Sequence, residues 1–182
     1  MDNCQKRPQR LFEERELSVD ECAGYLQKAI SLLKSQTAAS DGSEGTLKVI
    51  ITVSPIRYAK YGYHGSQLSK ATLLLAADKL VKENPGVVSY FPAYEIMNDE
   101  LRDYRFYKED MLHPSEQAVE YIWERFRATY FGKAAELFLE DWRPIREALG
   151  HKPFHPESEE HQKFIARTEE KKRQFEEKYH LL

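Results

Sequence analysis

LKVIITV, residues 47–53, is the stretch that decides the fold. It is short, β-branched and almost continuously apolar. That pattern belongs to an interior strand of a parallel sheet, covered on both faces. Upstream, Ser18 and Glu21 form a capping-box signature. Val19, Cys22, Leu26, Ala29, Ile30 and Leu33 then recur at helical spacing, which predicts a helix over about 18–36. TAASDGSEG, 37–45, is a loop by composition. Downstream, SPIRYAKYGYHGSQ breaks the pattern with Pro55, Gly62 and Gly65. Helical spacing returns over about 67–83 through Leu68, Ala71, Leu74, Leu75, Leu80 and Val81, until Asn84-Pro85-Gly86 ends it. VVSYF, 87–91, reads as a second strand. Alternating helix and strand build α/β domains with parallel sheets. Two strands are few for a doubly wound sheet, which commonly has about five. The expectation is therefore that part of the domain lies outside the 182 residues.

Past Pro92 the chain is irregular, with one helical turn expected at 93–98 and no clean period over 102–114. A helix is predicted from Pro114 to about Tyr130, its face formed by Val119, Ile122, Trp123, Phe126 and Tyr130. Pro114 suits the first helical position, where its missing N–H costs nothing. A further helix is expected over 133–149, with Pro144 as a kink. The last 25 or so residues form a charged helix with a thin stripe of Phe164, Phe175, Tyr179 and Leu182. The expected division is an α/β part over 1–131 and a helical extension over 132–182.

Composition narrows the function. Hydrophobic residues are 41% and aromatics 12%, enough for a core. The formal net charge of -3 gives no long-range attraction to nucleic acid or an anionic membrane. No apolar run approaches the roughly 20 residues of a membrane span, and the charged start lacks the apolar core of a signal peptide. A cytoplasmic location is the default, open to change by a missing N-terminus. Cys4 and Cys22 lack the spacing of a disulfide framework or a metal site, and no cofactor is expected.

The chemistry-bearing candidate is Asp110-x-x-His113, just before Pro114. A hydroxyl nucleophile needs an imidazole base whose tautomer a carboxylate fixes. A tight turn can bring groups three residues apart together. The bland alternative makes His113 a helix cap and Asp110 a turn former. Arg57, directly after the first strand, lies at the carboxyl edge where open α/β sheets bind ligands. It can hold an anionic or carbonyl group, or pair with a carboxylate of the chain. His64 sits in the same Gly-flanked loop without the partners of a metal ligand. Ser66 or Ser69 reads as a helix cap, not a nucleophile. Glu95 reads as structural, and the basic and aromatic residues of LRDYRFY as packing.

SPIRYAKYGYHGSQLSKATLLLAADKL, YFPAYEIMNDELRDYRFYKEDMLHPSEQAVEYIWERF and HKPFHPESEEHQKF together resemble the GSCFA-domain family of bacterial proteins. The resemblance covers nearly the whole chain, from about Asn3 to the final helix. It implies an SGNH (GDSL-like) hydrolase fold, a flavodoxin-like α/β/α sandwich with a Ser-His-Asp arrangement. The Asp and His of the family's D-x-x-H-P block match Asp110, His113 and Pro114. The serine belongs to the GSCFA pentapeptide, which does not occur in these residues. The resemblance thus implies the C-terminal portion of such a domain, whether from a truncated reading frame or a natural short form. Implied roles are base for His113, orienting group for Asp110, and lining of the substrate approach for Arg57 and His64. The implied activity is that of an esterase or deacetylase on a small-molecule or saccharide ester, absent or very weak in this chain alone. Alternatives are a non-catalytic binding module and an acyltransferase acting on a saccharide. Self-association through an exposed sheet edge is also expected.

Overall fold

The computed structural model of the chain describes residues 8–37, 47–153 and 157–181. Cys4, Leu182 and most of the 37–45 loop lie outside the described residues. The chain divides into two compact units, Met1–Trp123 and Glu124–Leu182. The division falls inside a helix.

The first unit holds helix α1 (Val19–Thr37), strand β1 (Val49–Ile51), helix α2 (Gly62–Glu83) and strand β2 (Val88–Tyr90). The capping box forms as read: Glu21 N–H donates to Ser18 Oγ and Ser18 N–H donates to a Glu21 carboxylate oxygen. β1 and β2 pair in parallel, with Val49 opposite Val88 and Ile51 opposite Tyr90. With α2 as the crossover they form one βαβ unit, so the α/β class holds. The sheet has two strands among the described residues.

Several expectations need correction. β1 is three residues long and not covered on both faces, since Ile50 is 39% exposed. A continuous apolar run therefore did not mean full burial here. The second helix starts at Gly62, ahead of its expected start, and runs through Gly65. Ser66 consequently sits inside it and is buried, rather than capping it. The buried stripe is Ala76, Ala77 and Leu80, while Leu68 and Leu75 are exposed. Ala76 and Leu80 join Ala23 and Ile30 of α1 and Val88 of β2 in the main core. Burying a leucine such as Leu80 contributes about 1.5–3 kcal/mol. The small Ala76 lets the two helices approach, a role that hydrophobicity alone does not register. The buried Asn84 caps α2, its Nδ2 donating to Leu80 O at 3.0 Å and to Gln27 Oε1 of α1 at 2.7 Å.

After β2, helix α3 (Ala93–Glu95) passes directly into a π-helical turn, Ile96–Leu101. Met97, Leu101, Phe106 and Ala118 make a second small core. Helix α4 spans Glu116–Tyr130. It begins after Pro114, not at it. Ser115 Oγ accepts from Ala118 N–H at 3.3 Å, and Pro114 instead bridges Tyr107 in an isolated β-bridge. The expected face of α4 is also shifted, because Val119 is 56% exposed while Ala118 is fully buried.

The second unit holds the remainder of α4 together with helices α5 (Lys133–Gly150) and α6 (Glu159–Lys178). α5 continues through Pro144. α6 opens on Ser158, whose Oγ accepts from His161 N–H. The α6 stripe packs on α5 by aromatic edges: Phe175 lies 4.9 Å from Phe138 and 5.2 Å from Trp142, centroid to centroid. Asp141 accepts from both Lys178 and Tyr179.

Candidate functional site

The loop between Phe106 and α4 folds onto itself. Lys108 N–H donates to His113 O at 2.8 Å, and Ser115 N–H to Phe106 O at 2.7 Å. Met111 turns the chain with φ 58°. Inside this hairpin Asp110 makes an Asx turn: its Oδ1 accepts from Leu112 N–H at 2.8 Å and His113 N–H at 3.0 Å. Its second oxygen, Oδ2, lies 2.5 Å from His113 Nδ1. The His113 backbone donor, then that of Leu112, then the imidazole hold the Asp110 carboxyl down at about 2, against an ordinary 3.8. An ionised carboxylate can only accept. His113 Nδ1 must therefore carry the proton, and in the neutral ring Nε2 is left as the basic nitrogen. Both side chains are open to solvent, His113 at 54% and Asp110 at 43%.

Arg57 is fastened to this hairpin from the carboxyl end of β1. Its N–H donates to Leu112 O at 3.0 Å and its Nη1 to Met111 O at 3.1 Å. The guanidinium lies over the rings of Tyr63 (5.1 Å) and Tyr107 (5.5 Å). The alternative that it pairs with a carboxylate is not what the structure shows: among the described residues its partners are carbonyls and aromatic faces. Thus the loop after β1 and the Asp110–His113 hairpin form one assembly.

Beside it opens a cavity of about 510 Å³, lined by Arg57, Met111 and Leu112 on one side and by residues of α2 and α3 on the other. His113 is not among its lining residues, although its two preceding neighbours are. His64 is exposed on the first turn of α2 and does not line the cavity either. The sequence reading missed Lys70, which is buried and points its Nζ to Ser54 O at 2.6 Å. A signal for it existed. Ser66, Lys70, Ala77 and Leu80 follow one helical stripe, and a lysine within a buried stripe calls for a reason.

The family comparison bears on the whole of this arrangement. The GSCFA family model matches residues 1–126, and the model of the GSCFA domain protein C-terminal domain matches residues 142–182. The chain belongs to the GSCFA family. A search of curated proteins and a search of solved structures each gave no match. The two GSCFA segments leave residues 127–141 between them, spanning the end of α4 and the start of α5. All residues of the hairpin and the cavity fall in the first segment. Among the described residues of this GSCFA protein, no group of three or more His, Cys, Asp or Glu could hold a metal ion. No helix among them is long and apolar enough to cross a membrane.

Proposed function

We propose that Asp110 and His113 are the acid–base half of an SGNH-type serine hydrolase, of the esterase or deacetylase kind. The observation that carries this reading is the 2.5 Å contact between Asp110 Oδ2 and His113 Nδ1. It orients the imidazole and fixes its tautomer, as a triad requires. His113 Nε2 then takes the proton of a serine hydroxyl as its oxygen bonds the acyl carbon. The same proton passes to the departing alkoxide. Water, deprotonated by His113, adds to the acyl carbon; the bond to the serine oxygen breaks, the acid leaves, and His113 returns the proton to that oxygen. Asp110 stabilises the imidazolium at each stage without itself becoming protonated.

The serine is proposed to come from sequence outside these 182 residues, in a GSCFA block. The serines near the site are engaged otherwise. Ser66 Oγ accepts from Tyr58 N–H and Ser54 Oγ from Ile56 N–H. A flavodoxin-like α/β/α sandwich would follow if further strands extended the sheet beyond β1 and β2. The exposed Ile50 on β1 is consistent with a further layer covering that face of the sheet.

The test is hydrolysis of short acyl esters by a form carrying the GSCFA block. His113→Ala in that form is expected to lose about 10²–10⁴-fold in turnover. The 182-residue chain alone is expected to give no or very weak turnover. Equal rates for wild type and His113→Ala would end the reading. A second reading, a binding module without turnover, is favoured by the cavity.

A further inference from the structure

The cavity beside the hairpin has a composition unusual for this chain. It is lined by two cations, Arg57 and Lys70, and by no carboxylate, although the chain carries 30 acidic residues. Neither cation has an ion-pair partner among the described residues. Lys70 is buried on α2, and its one hydrogen bond there goes to a neutral carbonyl, Ser54 O. Holding a buried ammonium without a counter-charge costs free energy. Burial accordingly pushes the Lys70 ammonium below its ordinary pKa. A site that keeps such a charge is matched to an anion that arrives from outside.

The walls say what kind of anion. Tyr63 and Tyr104 stand at the cavity 79% and 65% exposed. The Arg57 guanidinium covers one face of Tyr63; the other face of Tyr63 and the ring of Tyr104 do little for the core and are open to stacking. Tyr94 donates its hydroxyl to Gln67 Oε1 at 2.7 Å. That bond fixes the amide so that its N–H₂ donors are left for another acceptor. Aromatic faces bordered by hydroxyl and amide groups suit a polyhydroxylated ring, whose C–H faces stack while its hydroxyls hydrogen-bond. At about 510 Å³ the cavity lies within the roughly 300–1,000 Å³ of small-molecule sites. We infer that this cavity binds a carboxylated sugar, a uronate residue of an acidic saccharide, with its carboxylate between Arg57 and Lys70 and its ring against the tyrosines. As a substrate subsite this rests on the hydrolase reading, since Met111 and Leu112 link the cavity to His113. As a binding site it stands alone.

The experiment measures binding of a short oligogalacturonate by calorimetry, against a galactose oligomer of equal length and a sugar phosphate. The acidic oligomer is expected to bind at least about tenfold tighter than the neutral one, with affinity falling as salt rises. Lys70→Met is expected to remove about tenfold or more of that preference and leave the neutral oligomer unaffected. Tyr63→Ala, at a position 79% exposed, is expected to weaken the acidic oligomer about threefold to tenfold. Equal binding of acidic and neutral oligomers, or no binding of either, overturns the inference. Preference for the sugar phosphate over the oligogalacturonate overturns the carboxylate assignment. Uronate binding by a GSCFA-bearing form whose ester hydrolysis is unchanged by His113→Ala supports the site and removes only the catalytic reading.

Discussion

The Asp110–His113 hairpin and the Arg57–Lys70 cavity are neighbours with opposite electrostatic habits. The hairpin compensates its charge locally: two backbone N–H groups and an imidazole surround one carboxylate in water. The cavity leaves its charge uncompensated, with one ammonium buried and one guanidinium held by carbonyls and ring faces. The first arrangement is self-sufficient and orients a group for chemistry. The second is poised to be completed by something else.

The sharpest way to break this contrast is Asp110→Asn. An asparagine oxygen can still accept from Leu112 and His113 N–H, so the hairpin should keep its shape. The charge that holds the proton on His113 Nδ1 is lost. In a form carrying the GSCFA serine, turnover is expected to fall about 10³–10⁴-fold, with a modest fall in melting temperature because the ionised carboxylate also supports the turn. A large fall in stability instead would mean the carboxylate serves the turn alone. Next in size is Arg57→Met, which severs the bond to Met111 O and the stacking on Tyr63 and Tyr107. It is expected to cost about 1–2 kcal/mol in thermal or urea unfolding.

Lys70→Met should act in the opposite direction. It removes a buried charge while keeping an unbranched stem, and Ser54 is exposed, so its carbonyl can turn to water. The expected result is a rise in melting temperature of about 2–4 °C, the shift that about 1 kcal/mol makes in a chain of this size. A lower melting temperature would mean the bond to Ser54 O is worth more than the burial costs.

The pH dependence separates the two centres. Asp110 has its folded pKa depressed to about 2 from 3.8. Its contribution is therefore fully present above pH 3.8 and is lost as pH falls through about 2. Lys70 is also depressed, from 10.5. Below its folded pKa both states carry the charge. As pH climbs from that value to 10.5 the unfolded chain holds more proton, so stability rises. Glu21, Glu170 and Asp141 are held down as well, so in denaturation against pH Asp110→Ala should shrink the acid limb by its own share and Lys70→Met should remove only the alkaline share of Lys70. Loss of either share in the other variant would merge the two centres into one.

How much of this the sequence disclosed follows its physics. The βαβ unit and the capping box were legible because each is written in local spacing. The Asp110–His113 contact was legible because its partners lie three residues apart. The cavity was not, because it joins Arg57, Lys70 and Tyr94 from three separate segments, and local spacing carries no record of such meetings. The extent of burial was misread for the same reason. Leu68, Leu75 and Val119 follow the helical period yet face outward, and alanines 76, 77 and 118 fill the contacts. Periodicity identifies an apolar face, but the neighbour's shape decides which part of it is covered.

The smallest expected effect concerns the joint between the two centres. Met111 lies in the left-handed region at φ 58°, where its Cβ is crowded, and its carbonyl receives Arg57. A left-handed residue other than glycine costs about 1–2 kcal/mol. Met111→Gly relieves that cost but frees the unfolded chain and removes a side chain that is 40% exposed. The net gain should be small, about 0.5 kcal/mol, read as a slightly higher urea midpoint. Met111→Val should lose about 1 kcal/mol or more, because β-branching tolerates positive φ poorly. The carbonyl survives both changes, so a Met111→Gly variant that loses uronate binding along with stability would show the methionine side chain itself closing the cavity. Unchanged binding would leave the joint as backbone alone, with Arg57 holding hairpin and cavity together through two carbonyl oxygens.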